Sequence, residues 1–264
     1  MRQQHTICDF CTSDSWVVLS PIEQSIKRKI EAVGTPLKDW DIHIYRGVLT
    51  GCNEAFIINT SKRNEILSNC KDADERKRTE ELIRPILRGR DIKRYGYEWA
   101  GLWLINTHNG IKGKIDRIHV EDYPAIKAHL NKYWDKIEHR ADQGDTPYNL
   151  RNCVYLEDFN KPKLFYADIT QHLSFCLCRD VMYCNNTTYF ITTDNERELR
   201  HLQKYLNSPL IDWYYKTLSV QLGEKAVRMF SIYVLEIPIP PIGEDNIYEA
   251  YHLNAKEIAF IERI

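Results

Sequence analysis

Apolar residues recur every three to four positions between Ser20 and Gly34, with Ile22, Ile26, Ile30 and Val33 on one face, and this spacing predicts a helix. Ser20 can cap it, Pro21 suits its first turn, Glu23 completes a capping box, and Gly34 stands where it should stop. Strand-like sequence follows over 40–48 and 55–58. The LTGCNE between them, with Gly51 and Asn53, predicts a hairpin connection. A polar, charge-dense stretch over 61–81 reads as helical and solvated, and Pro85, Gly89 and Gly96 forbid a long helix over 82–96. LWLINT at 102–107 reads as a buried strand. A second helix is expected over 122–139, where Ile126, Leu130, Tyr133 and Ile137 share a face. Strands are expected at 153–157, 163–169, 174–178 and 188–192, and helices at 195–206 and 209–217. LEIPIPPI at 235–242 must be extended yet lie off any central strand, because its prolines lack an N–H to donate. A last helix is expected over 246–264, apolar to its end. Strands and helices alternate without repeated βαβ spacing, which favours α+β over a doubly wound sheet.

Composition narrows the class. With 264 residues, 43% hydrophobic and 28% charged, the chain can bury a large core and is not a disordered sequence. No apolar run approaches the roughly 20 residues of a membrane helix, and Met1 to Asp14 lack the pattern of a secretory signal. The 36 Lys+Arg against 37 Asp+Glu leave a net charge of -1, which at first sight counts against a nucleic-acid binder. Eight cysteines in a chain of this length, with nothing to export it, suggest reduced thiols in the cytoplasm. Cys8 and Cys11 form a C-x-x-C with His5 before it, but a zinc site needs a second pair, and Cys176-x-Cys178 is too tight.

Catalytic signatures are missing. There is no G-x-G, Walker lysine motif, G-x-S-x-G or H-E-x-x-H. The D/N-P-P-Y/F motif of amino-group DNA methyltransferases is absent too, the Pro240-Pro241 pair being preceded by Ile239. Asp91-x-Lys93 is the nearest approach to a magnesium nuclease motif, but it sits among arginines without an acidic partner upstream. No catalytic and no metal-binding residue is assigned.

Two segments concentrate positive charge. LIRPILRGRDIKRY carries Arg84, Arg88, Arg90, Lys93 and Arg94 against the single acid Asp91, on a backbone broken by proline and glycine. Arginine's planar fork suits phosphate or the guanine edge, although such a loop can equally pair with carboxylates elsewhere in the fold. HNGIKGKIDRIH at 108–119 places Lys112, Lys114 and Arg117 beside two glycines, a common way to follow a phosphate backbone and equally common in a surface loop. Gln171 and His172 follow an expected strand and can offer hydrogen bonds to base edges, or simply form a turn.

The order of segments is more specific than any one of them. GVLTGCNEAFII (47–58), LIRPILRGRDIKRYG (82–96), WLINTHNG (103–110), NLRNCVYLEDFNKPKLFYADIT (149–170), LQKYLNSPLIDWYY (202–215) and LEIPIPPI (235–242) resemble, in that order, the TaqI-like C-terminal specificity domain. That domain is the target-recognition module of type IIG restriction-modification enzymes and related adenine-specific DNA methyltransferases. The resemblance implies an α+β recognition domain with a mixed, mostly antiparallel twisted sheet and flanking helices. It also implies an N-terminal segment and connector helix over 1–36, the recognition domain over 37–242 and a C-terminal helix over 243–264. S-adenosylmethionine and magnesium would belong to methyltransferase and nuclease domains that this chain lacks, so it looks like a specificity domain cut from a longer protein or a gene fragment. Its partners would be duplex DNA and those catalytic domains, with no membrane.

Under that resemblance Arg84, Arg88, Arg90, Lys93 and Arg94 contact phosphate or guanine edges. Thr50, Asn53, Asn109, Lys112, Lys114, Gln171 and His172 supply neighbouring contacts. Neutralising about six phosphates implies a loss of affinity of roughly 10³ between low and moderate salt. Two other classes stay open: an interaction subunit that completes a separate methyltransferase, and a small magnesium nuclease built on Asp91 and Lys93. The net charge is then an average, with acids spread through helices and the cations gathered at 84–94 and 112–117.

Overall fold

The first helix forms where its stripe predicts. In the computed structural model, which describes residues 19–219, 221–223, 226–243 and 246–264, it spans Pro21–Val33 with Ile26 and Ile30 fully buried. Ser20 and Glu23 close the capping box. The His5, Cys8 and Cys11 motif and the Met1 to Asp14 segment lie outside the described residues.

The described residues form two compact units: His43–Asp168 with Phe175–Asp194, and the remaining described residues. The first, the sheet unit, holds two four-stranded sheets. One runs Phe175–Cys178, Lys163–Ala167, Thr188–Thr192, His43–Arg46, all antiparallel. The other runs Tyr183–Cys184, Ile83–Leu87, Leu102–Ile105, Ile57–Asn59, with Tyr183–Cys184 parallel to its neighbour. Mixed, mostly antiparallel sheets with helices make the fold α+β, as expected. Phe56, Ile86, Leu104, Phe159, Phe165 and Phe190 are fully buried in one core.

The second, the helical unit, packs the helices Pro21–Val33, Glu196–Leu206, Pro209–Leu218 and Ala255–Ile261. Its first and last helices are joined at buried Glu257, which accepts from the Ser25 hydroxyl at 2.7 Å and from Lys29 Nζ at 2.6 Å. LEIPIPPI is extended only in part: Leu235 and Glu236 still turn out of the preceding helix, and Ile242 lies in the next turn. Only Pro238–Ile239 pairs, with Thr35–Pro36, in a two-stranded sheet.

Four local expectations are corrected. The 40–58 hairpin does not form, because His43–Arg46 pairs with Thr188–Thr192 and Ile57–Asn59 with Leu102–Ile105. Ala55 and Phe56, both buried, lie on one helical turn, Asn53–Phe56, and the strand begins only at Ile57. No strand forms at 153–157. Leu156 and Phe159, three residues apart, are brought to the core by a 3-10 helix, Leu156–Asn160. The 122–139 helix starts at Pro124 and is interrupted after Asn131, although Ile126, Leu130 and Ile137 do share the buried face. The last helix is two short ones, separated where His252 takes a positive φ of 54° and Asn254 caps Ala255–Ile261.

Candidate nucleic-acid interface

The 84–94 segment begins as a strand, not a loop. Ile83, Ile86 and Leu87 are buried, while Arg84 and Pro85 are half-buried. Pro85 is tolerated because Leu102–Ile105 pairs with residues 83–85 on one side, and Tyr183–Cys184 begins to pair only at Ile86. The chain then turns through a 3-10 helix, Gly89–Asp91, into a small hairpin of Ile92–Lys93 and Gly96–Tyr97. Gly89 is required here, since a Cβ would lie 2.6 Å from the Thr187 carbonyl oxygen.

The cations of this segment divide by role. Arg88 is turned inward: Nε and Nη2 donate to the two oxygens of Asp91, which is 5% exposed. Burial alone would raise the Asp91 carboxyl, but the Arg88 side chain, its main-chain N–H and its charge hold it below the ordinary range. Arg90, Lys93 and Arg94 are exposed around the hairpin tip. Of these, Lys93 reaches the Arg90 carbonyl at 3.3 Å and Glu98 at 3.6 Å.

The 50–53 and 108–118 loops are tied together by residues 140–150, a link that the sequence does not signal. Arg140 is 6% exposed and donates to the carbonyls of Thr50 at 2.8 Å and Ile137 at 3.3 Å, and to those of Pro147 and Asn149. Burial lowers its pKa to about 10, and its guanidinium lies 4.6 Å from the Phe56 ring centroid. Thr50 is itself buried, its hydroxyl donating to Asn53 Oδ1 at 2.7 Å. Asn109 is likewise engaged, donating to Asp145 and Asn152 and accepting from the Asp145 N–H at 2.8 Å. These three polar side chains shape loops. Nothing in the charge pattern separates Arg140 from a solvated arginine, which is why sequence reasoning passes it over.

Lys112 and Lys114 are exposed on the tight turn closed by the Ile111 and Ile115 bridge. Lys114 pairs with Glu157 and Arg117 with Asp145. His108 is held below its ordinary pKa by burial and by the Arg84 charge.

Gln171 and His172 belong to the helical unit. Both are exposed, and the His172 ring is steadied by Nδ1 at 3.1 Å from Asp212 Oδ2. Burial would raise Asp212, but Lys216, the Leu173 N–H and His172 outweigh it and keep the carboxylate charged.

Among the described residues no group of three His, Cys, Asp or Glu side chains could hold a metal ion, and no helix is long and apolar enough to cross a membrane. Two exposed aromatics join the surface without any signal in the charge pattern: Tyr95, 58% exposed at the hairpin tip, and Trp99, 38% exposed and packed edge-on against Trp103.

A family model, the TaqI-like C-terminal specificity domain, matches residues 84–239. The type II methyltransferase M.PaeR7I of Pseudomonas aeruginosa is 23% identical over 231 residues, covering 86% of this chain and 37% of that protein. The type IIG restriction endonuclease BpuSI has a similar fold, with a TM-score of 0.57 at 14% identity over 92% of this chain and 28% of its own. The type IIL restriction-modification enzyme MmeI, solved in complex with DNA, gives a TM-score of 0.56 at 13% identity, over 86% of this chain and 28% of its own. The chain thus spans under two-fifths of the length of the methyltransferase it matches.

Proposed function

The chain belongs to the TaqI-like C-terminal specificity domain family, and from that premise we propose that it grips duplex DNA and selects the target for catalytic domains outside the sequence. The observation that carries this reading is the division of labour among the cations. Arg88 and Arg140 are spent on the fold, while Arg90, Lys93, Arg94 and Lys112 stand exposed on two braced turns. Exposed cations on rigid turns suit phosphates, which position a protein without encoding sequence.

In this reading Arg90, Lys93, Arg94, Lys112 and Lys114 bind phosphate, and Arg84 and Arg88 support the strand and turn beneath them. Thr50, Asn53 and Asn109 shape neighbouring loops, and Gln171 and His172 offer outward hydrogen-bonding groups to base edges. The parent would be an S-adenosylmethionine-dependent, adenine-specific methyltransferase, alone or joined to a magnesium-dependent nuclease, in the cytoplasm. Those cofactors would belong to its catalytic domains. Asp91 in particular has both oxygens taken by Arg88, which disfavours a nuclease centred on it.

The test is titration of a fluorescent mixed-sequence duplex with the purified chain across a salt series. The expected result is binding whose logarithm falls linearly with log salt, at a slope of about −0.9 per phosphate neutralised. A chain that fails to bind any duplex at low salt would sink the proposal.

A further inference from the structure

Tyr95 stands at the tip of the 92–97 hairpin with φ at 67°, one of two non-glycine residues with positive φ among the described residues. A tyrosine there carries strain of about 1 kcal/mol or more that glycine would not. Glycine is the next residue, and Gly96 has neither a positive φ nor any atom within 4 Å of where its Cβ would lie. The strain therefore falls on the ring-bearing position with a glycine beside it.

Tyr95 is 58% exposed, and its main-chain N–H donates to the Phe175 carbonyl at 3.2 Å. The hairpin beneath is braced on every side. Ile92 is buried, Arg88 clamps Asp91, the Glu98 N–H donates to the Asp91 carbonyl at 2.8 Å, and Tyr97 Oη donates to Asp180 Oδ2 at 3.4 Å. A rigid tip loses little entropy on binding. Arg90, Lys93 and Arg94, all within five residues of Tyr95 in sequence, are exposed.

We propose that the 92–97 hairpin is a fixed probe that enters a groove of duplex DNA, with Tyr95 packing its ring on deoxyribose and base edges while the three cations hold the flanking phosphates. This rests on the DNA-binding reading above and names the element that makes the contact. A two-stranded ribbon fits the major groove, about 12 Å wide. The tyrosine hydroxyl is a single group and cannot make the bidentate contact by which arginine or asparagine tells one base from another. The ring's contact is therefore one of shape, tolerant of sequence, as aromatic packing on nucleic acid generally is. Tyr95 is an anchor and not a reader.

The test compares wild type with Tyr95→Gly and Tyr95→Phe, on a mixed-sequence duplex and on duplexes enriched by wild type from a random pool. Tyr95→Gly relieves the positive φ, so its melting temperature should equal or exceed that of wild type, which excludes misfolding as the cause of any loss. Its affinity should fall about tenfold on both kinds of duplex with an unchanged salt slope, since no charge is removed. Tyr95→Phe, which keeps the ring, should bind as wild type does. Wild-type affinity in Tyr95→Gly would overturn the contact. A loss confined to the enriched duplexes would make Tyr95 a reader and overturn the anchor. A Tyr95→Phe as weak as Tyr95→Gly would assign the contact to the hydroxyl and overturn the ring packing. Absence of duplex binding by wild type would remove the DNA-binding reading itself, and the probe with it.

Discussion

Arg88 holds Asp91 at both carboxylate oxygens: Nη2 lies 2.7 Å from Oδ1, while Nε and the main-chain nitrogen lie 3.0 and 2.9 Å from Oδ2. The pair closes the turn that launches the hairpin and takes the only acid of the 84–94 segment out of play. Asp91→Ala leaves a half-buried guanidinium without its partner and should cost roughly 2–3 kcal/mol in urea unfolding. The double change Arg88→Ala, Asp91→Ala should cost less than the two single changes added together, since the pair acts as one unit. Strict additivity would show that the clamp is not coupled.

Removing the exposed cations should separate charge from fold. Arg90→Ala, Lys93→Ala and Arg94→Ala together should leave the melting temperature within a few degrees of wild type, as exposed charges contribute little. The same triple change should flatten the salt dependence of duplex binding by up to about 0.9 for each phosphate no longer neutralised. Lys112→Ala should weaken binding with the same signature. Lys114→Ala should do so more strongly, because it removes a cation and also unmasks Glu157. A triple variant with wild-type slope would place the interface elsewhere.

Much of this fold is legible in the sequence because its signals are local. The 20–34 stripe carries its own caps, and 163–169, 174–178 and 188–192 are apolar runs that form strands. What escapes depends on partners distant in sequence. Val-Tyr-Leu at 154–156 looks like a strand until Phe159, three residues beyond Leu156, is seen stacked on Tyr183 with ring centroids 4.3 Å apart. Tyr183–Cys184 is only two residues long, and it pairs because Ile86 and Leu87 lie alongside. At the candidate interface charge alone places the basic strip correctly on the surface at Arg90, Lys93 and Arg94. It cannot show that Arg88 faces inward, because the decisive acid lies within the same motif and only geometry reveals that both oxygens are spent.

Gly47 sets a second testable constraint. A Cβ there would lie 2.0 Å from the Asn185 carbonyl oxygen and 2.5 Å from that of Cys184, both backbone atoms held by the sheet. The Gly47 N–H donates to Thr188 at 2.8 Å and the Val48 N–H to Cys184 at 2.7 Å, so the two segments cannot part without losing both bonds. Gly47→Ala should destabilise the chain by roughly 2–4 kcal/mol. An alanine variant as stable as wild type would show that this approach is looser than the geometry states.

Arg140 should tolerate no substitute. Arg140→Met keeps the apolar stem but strands the carbonyls of Thr50 and Pro147 without a donor, at a cost of roughly 3–5 kcal/mol. Arg140→Lys should recover little of it, because one ammonium cannot span carbonyls arranged for a planar fork. Full rescue by lysine would mean that charge alone holds the 140–150 link.

Acid should weaken the fold before its carboxylates titrate. His129 is 4% exposed and its Nε2 lies 2.9 Å from the Ala55 carbonyl, so Nε2 carries the proton in the neutral ring. Burial is the main force lowering its pKa below 6.5, and Lys62 and Lys132 add to it, while the Ala55 carbonyl and Glu65 oppose. Because the folded value is depressed, the unfolded chain takes up a proton that the folded chain refuses. The stabilisation from the neutral ring is therefore complete above about pH 6.5 and is lost as pH falls toward the folded pKa. His108 is depressed in the same direction and deepens the effect. Urea midpoints should accordingly drop between pH 7 and pH 5. Replacing His129 by Gln, whose amide can still donate to the Ala55 carbonyl without titrating, should flatten that drop. A His129→Gln chain as acid-sensitive as wild type would assign the loss to other groups.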